Sequence, residues 1–129
     1  MTIITISLPK KVVDKLDKYK EMFGFMSRSE VIRDALKNYF SQEEIKYAEE
    51  ALAVILLLST REEKHVGEKI LDILHKNKDI IINFNHMHVD NYCVEQVTCR
   101  GGIDRITYLI RSIRKLKGVI SVKEALIPI

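Results

Sequence analysis

Cysteine is scarce. Only Cys93 and Cys99 occur in the 129 residues, too few for a disulfide framework. Both fall in one apparent strand segment, where neighbours at this spacing rarely bridge, so a reducing cytoplasm is the expected setting. Long apolar runs are missing too. The longest, Ala51 to Leu58, is far short of the roughly 20 residues that cross a bilayer, and no membrane partner is expected. No basic leader or cleavage site is visible, since Met1 opens directly into strand-like sequence, and no signal peptide is expected. Internal repeats and low-complexity tracts are likewise absent. These absences argue against a disulfide-stapled secreted scaffold, a membrane-spanning protein and a repeat array. Disorder is excluded by composition, with 47% hydrophobic and 30% charged residues.

A chain of this length suits one domain or two small ones. The net charge of +3 is unevenly spread: residues 1–40 carry eight Lys/Arg against five Asp/Glu, and the remainder is balanced. All the excess positive charge therefore lies in the first third, a weak pointer to a polyanion there.

Thr2 to Leu8 alternates, with Ile4, Ile6 and Leu8 facing one way and Ile3, Thr5 and Ser7 the other. A lone strand of this length has two unpaired edges and an uncovered apolar face. No complementary strand follows locally. Pro9 ends it and opens a helix, where its missing N–H costs nothing. Val12, Val13, Leu16, Tyr19 and Phe23 give that helix an apolar stripe, and Gly24 stops it. Ser27-Arg28-Ser29-Glu30 forms a capping box for a second helix through Val31, Ile32, Ala35, Leu36, Tyr39 and Phe40. Forty residues make too small a core for independence. Dimerisation, pairing the strand with its copy as an antiparallel ribbon, is the expected remedy.

These segments, and the string SRSEVIRDAL above all, resemble the ribbon-helix-helix family of repressors. The resemblance implies an intertwined dimer whose two-stranded ribbon enters the major groove of operator DNA. Ile3, Thr5 and Ser7 would face base edges, the hydroxyls donating or accepting and Ile3 meeting a thymine methyl. Related repressors often carry a basic residue where Ile3 stands. The N-terminus of the second helix, at Ser27, Arg28 and Ser29, would anchor a backbone phosphate through free N–H groups and the helix dipole, with Arg33 further along.

Beyond a polar stretch from Ser41 to Glu50, which continues the second helix before becoming a linker, the pattern changes. Ala51–Ser59 is a buried run. Arg61–Lys76 is helical, with Val66, Ile70, Ile73 and Leu74 inward. Ile80–Val89 and Tyr92–Arg100 alternate, and Gly101-Gly102 breaks the chain. Ile103–Lys117 is helical through Ile106, Leu109, Ile110 and Ile113; Gly118 stops it, and Val119–Leu126 is a last strand. The order β-α-β-β-α-β is that of ferredoxin-like domains, shared by ligand-binding domains of the ACT type. The expected fold class is thus α+β, with residues 1–46 as a ribbon-helix-helix domain and residues 51–129 as an ACT-like one.

His86 and His88 are two apart in a strand, so both rings leave one face. Cys93 opens the returning strand. Two imidazoles and a thiolate at a hairpin end make a metal site for a borderline-soft ion. His75, at the end of the preceding helix, is a third histidine. A lone histidine is more often a surface residue, and a lone cysteine more often a small buried apolar one; the convergence carries the reading. Cys99 shares the face of Cys93 and is read as core.

His75, His86-Met87-His88 and Cys93-Val94-Glu95 together resemble the ligand set of the nickel-responsive repressors of the NikR type, which combine the same two domains. The resemblance covers almost the whole chain. It implies that three histidines and one cysteine bind Ni(2+) in a square plane, with His75 supplied by a neighbouring subunit of a homotetramer. Glu95 would orient a ligand histidine. Glu30 and Asp34 match acidic positions of a cation site between the domains. The affinity order of such ligands also admits Cu(2+), Co(2+) or Zn(2+). The turn from His88 to Cys93 departs from the family: it is one residue shorter than is usual there. Such a deletion reverses the facing of the residues after the turn unless the turn type adjusts, which would leave a three-histidine or otherwise altered site. Three other readings carry different marks: a regulator sensing an amino acid through the ACT-like domain, which leaves the His/Cys cluster unexplained; an antitoxin, which would end in a short disordered tail; and an enzyme with Cys93 as nucleophile, for which no oxyanion loop is visible.

Overall fold

The computed structural model describes all residues, Met1–Ile129. The chain forms two compact units, Met1–Gln42 and Glu43–Ile129.

In the first unit, helix α1 (Lys10–Phe23) starts after Pro9, whose carbonyl accepts from the N–H groups of Val12 and Val13. It ends at Gly24 in the left-handed region, φ 72°. Helix α2 (Arg28–Glu44) is capped as its sequence indicates: the Glu30 N–H donates to Ser27 Oγ at 3.1 Å. The reciprocal bond is displaced by one residue, with the Met26 N–H donating to Glu30 Oε2 at 2.7 Å. Met1–Pro9 carries no strand within the chain, because a ladder needs a second strand and this chain offers none there. No residue of either helix is buried, and Tyr19, Met22, Phe23, Leu36, Tyr39 and Phe40 are all exposed. This unit has an apolar face but no interior.

The second unit is a four-stranded antiparallel sheet in the order β2-β3-β1-β4, built from β1 (Glu50–Thr60), β2 (Ile81–Val89), β3 (Tyr92–Gly102) and β4 (Val119–Pro128). Helices α3 (Val66–Lys76) and α4 (Ile103–Arg114) supply the β-α-β-β-α-β connections. The core joins Ile55, Leu57, Val97 and Cys99 from the sheet to Ile70, Leu74, Ile106, Leu109, Ile110 and Ile113 from the helices. Each such side chain contributes about 1.5–3 kcal/mol by leaving water. Several boundaries differ from the periodicity: α4 closes at Arg114 and not at Lys117, β4 runs on to Pro128, and two further differences have a visible cause. Arg61–His65 is bend and turn, since His65 sits at φ 65° and the helix begins only at Val66. Gly101 and Gly102 do not break β3 but extend it, pairing with Ala51 and Glu50, and α4 follows without a linker. The sheet's other face is apolar but uncovered: Val54 and Leu56 of β1 and Met87 of β2 are exposed.

Candidate metal centre

The β2–β3 hairpin fixes the geometry. Its register pairs His88 with Cys93 and His86 with Glu95, so all four project from one face of the sheet. On β3 that face is the buried one, shared with Val97 and Cys99. The short turn is accommodated by Asp90, which takes φ 53° so that Asp90-Asn91 closes a two-residue hairpin with Val89 opposite Tyr92. Aspartate tolerates this conformation better than most residues. Cys93 stands on the same face as His86 and His88, the outcome the sequence allows when the turn type adjusts.

Donor atoms of His86, His88 and Cys93 lie within 4.8 Å of one another. The two rings meet edge to face, 4.9 Å between centroids. Both histidines are exposed and Cys93 is half-buried, so the cluster is open on one side. Glu95 is 2% exposed. Its Oε1 lies 3.1 Å from His86 Nδ1, and its Oε2 has no partner. Burial raises the carboxyl above its ordinary range, and the hydrogen bond and charge of His86 pull it partly back. With a carboxylate at Nδ1, that nitrogen carries the hydrogen, and Nε2 keeps its lone pair for an ion. Two imidazoles and one sulfur suit a borderline-soft divalent metal, and the donor set fits nickel.

His75 stands apart from this cluster. It lies on the last turn of α3 and lines a groove of about 460 Å³ with Leu71, Asp72, Leu74, Lys78, Ile81 and Phe84. Phe84 is two residues before His86 on β2, so groove and cluster occupy successive stations along one edge strand.

Of the residues read as DNA contacts, Ile3, Thr5 and Ser7 are exposed in the N-terminal segment before α1, and Ser27 and Ser29 sit at the start of α2. Arg33 is exposed on the next turn. Arg28 is not free: its Nε donates to Asp17 Oδ1 at 2.8 Å and its Nη2 to Asp17 Oδ2 at 2.9 Å. Glu30 is engaged in the cap, and Asp34 accepts from Asn38 at 3.4 Å. Sequence reasoning misses Asp17, which carries no motif, whereas the Asp90-Asn91 pair between two alternating runs marks the turn, though not the left-handed backbone of Asp90.

Comparison with known proteins agrees with both halves. Residues 52–127 match the family described as NikR C terminal nickel binding domain, and residues 2–43 match ribbon-helix-helix proteins of the copG family. A relative in Haloarcula marismortui is 30% identical over 100% of this chain and 95% of its own length. One in Methanocaldococcus jannaschii is 36% identical over 95% of this chain and 89% of its own. Both are assigned as nickel-responsive regulators. Among solved structures, the ACT domain of a GTP pyrophosphokinase from Chlorobium tepidum aligns with a TM-score of 0.52 at 20% identity, over 57% of this chain and 96% of that domain. An uncharacterized protein from Thermotoga maritima aligns at 0.56 with 16% identity, over 60% of this chain and 98% of its own. These likenesses establish the ACT-like fold. The family is one of regulators and not of enzymes, and its names specify nickel, not the copper, cobalt or zinc that the ligand types alone would admit. The chain belongs to the NikR family of ribbon-helix-helix regulators, in which that module precedes an ACT-like C-terminal domain.

Proposed function

We propose that this protein is a nickel-responsive regulator of transcription, with residues 1–46 binding operator DNA and residues 51–129 sensing the metal. The observation that carries the reading is the gathering of His86, His88 and Cys93 within 4.8 Å on one face of one hairpin, in the domain matching the nickel-binding family. In this reading these three residues hold Ni(2+) together with His75 from a neighbouring subunit, and Glu95 orients His86. The separation of His75 from the other donors within one chain supports a site shared between chains.

Two surfaces support assembly as a homotetramer, a dimer of dimers. The helices of Met1–Gln42 bury nothing in the single chain, and Val54, Leu56 and Met87 leave an apolar sheet face open to water. Pairing two N-terminal segments completes a ribbon that presents Ile3, Thr5 and Ser7 to the major groove, while Ser27, Ser29 and Arg33 lie along the phosphate backbone. Bound nickel supplies a cross-link between imidazole and thiolate donors of two chains. Holding two ribbons at a fixed spacing raises affinity for a pair of half-sites through effective concentration, without new base contacts. Operator DNA tightens metal binding by the same factor.

The test is the affinity of the chelator-treated protein for DNA selected from its own genomic upstream regions, measured by fluorescence anisotropy as nickel is added. A rise in affinity that saturates with metal is expected. Unchanged affinity across the titration would refute the reading.

A further inference from the structure

Arg28 opens α2, at the helix end assigned above to a DNA phosphate, yet its guanidinium edge is already engaged. Nε and Nη2 bind the two oxygens of Asp17, a residue of α1 eleven positions earlier. A carboxylate offers two oxygens at nearly the spacing of two phosphate oxygens, and both anions prefer this same paired-donor edge of arginine. Occupation by one excludes the other. The side chains of both partners are largely open to water, Arg28 60% and Asp17 43% exposed, so a polyanion can reach the pair without unfolding anything. Besides Arg28, Lys20 is the other cation acting on Asp17, and it lies 3.7 Å from Glu21.

We propose that Asp17 is a built-in competitor for DNA at Arg28: its carboxylate occupies the phosphate-binding edge in the free protein and lowers affinity for DNA of any sequence. The inference rests on the DNA-binding reading and deepens it. An exposed ion pair is a weak lock. The contacts of a matched operator open it, whereas the looser contacts of random DNA gain less than the exchange costs. The pair thereby suppresses non-specific binding more than specific binding.

The experiment uses the full nickel-loaded chain and a labelled random-sequence duplex, with affinity measured over a range of salt concentrations. Asp17→Asn is expected to tighten binding roughly two- to five-fold, the range of a weak exposed pair. It should also steepen the log–log salt dependence by about 0.9 for each Arg28 released to a phosphate. Asp14→Asn, which removes the same charge from the same helix at a residue with no hydrogen bond or ion pair to Arg28, should leave the slope unchanged. In an Arg28→Gln background the effect of Asp17→Asn on the slope should vanish. Asp17→Ser repeats the measurement without the amide that could still bind Arg28, and circular dichroism confirms that α1 and α2 remain folded. Weaker binding by Asp17→Asn and Asp17→Ser would overturn the proposal and make Asp17 a positioning residue. A slope no different from that of Asp14→Asn would also overturn it. Failure of the unaltered chain to bind any duplex would instead refute the DNA-binding reading beneath it.

Discussion

His86 Nδ1 and Glu95 Oε1 lie 3.1 Å apart across the β2–β3 ladder, with Glu95 buried and its other oxygen unpartnered. The pairing joins the proposed metal site to the domain interior. A buried carboxyl with one unmet acceptor is costly in the absence of a metal. Glu95→Gln keeps the shape and removes the charge. Its metal-free melting temperature should equal or exceed that of the unaltered protein. Nickel affinity should fall roughly 10- to 100-fold as the hold on His86 weakens. Calorimetry in chelator and a competition titration measure the two effects separately.

The turn residue Asp90 sets the facing of Cys93 through its backbone, φ 53°. A β-branched side chain is strongly disfavoured there. Asp90→Val should cost about 1–2 kcal/mol in urea unfolding and weaken metal binding, while Asp90→Gly should preserve both. Equal behaviour of the two variants would show that the turn is not held in this conformation.

Much of the fold is visible before any coordinates because its elements are periodic and locally punctuated. Ile106, Leu109, Ile110 and Ile113 recur at helical spacing and are all buried; Gly24 ends α1 where its freedom at positive φ is needed. His86 and His88 share a face by strand geometry alone. The facing of Cys93 is not legible in the same way, since it depends on a backbone angle at Asp90 that residue counting cannot supply. The start of α3 is misplaced by periodicity because Arg61–His65 is compatible with a helix in composition, and only the left-handed His65 interrupts it. The Asp17–Arg28 pair depends on how two helices pack, and no local pattern encodes it.

Gly101 permits close packing of β3 against Ile80. A Cβ at this glycine would lie 2.8 Å from Ile80 Cγ2, on a branched side chain with little freedom to move. Gly101→Ala should destabilise by about 1–3 kcal/mol. Ile80→Ala in the same chain should recover part of that loss, since it deletes the clashing methyl. Additive losses in denaturant unfolding would contradict the packing argument.

Arg105 donates to both oxygens of Asp79, tying the start of α4 to the loop before β2. The hydrogen bonds from Arg105 hold the Asp79 carboxyl below its ordinary value. An acid with a depressed folded value adds stability above its unfolded value and loses it as pH falls through the folded one. Arg105→Gln should therefore lower the metal-free melting temperature modestly at neutral pH, and the difference should shrink at strongly acid pH. A difference that grew on acidification would have the wrong sign.

The sharing of one ion between chains is tested most directly by mixing subunits. Nickel is titrated into chelator-treated protein and followed by the thiolate-to-nickel absorption band. His75→Ala chains and His88→Ala chains are examined separately, then after being unfolded and refolded together. Each variant alone should lack the band of the unaltered protein, and the mixture should regain part of it, because the hairpin of one chain meets the intact His75 of the other. An undiminished band in His75→Ala chains alone, or no recovery on mixing, would contradict the account.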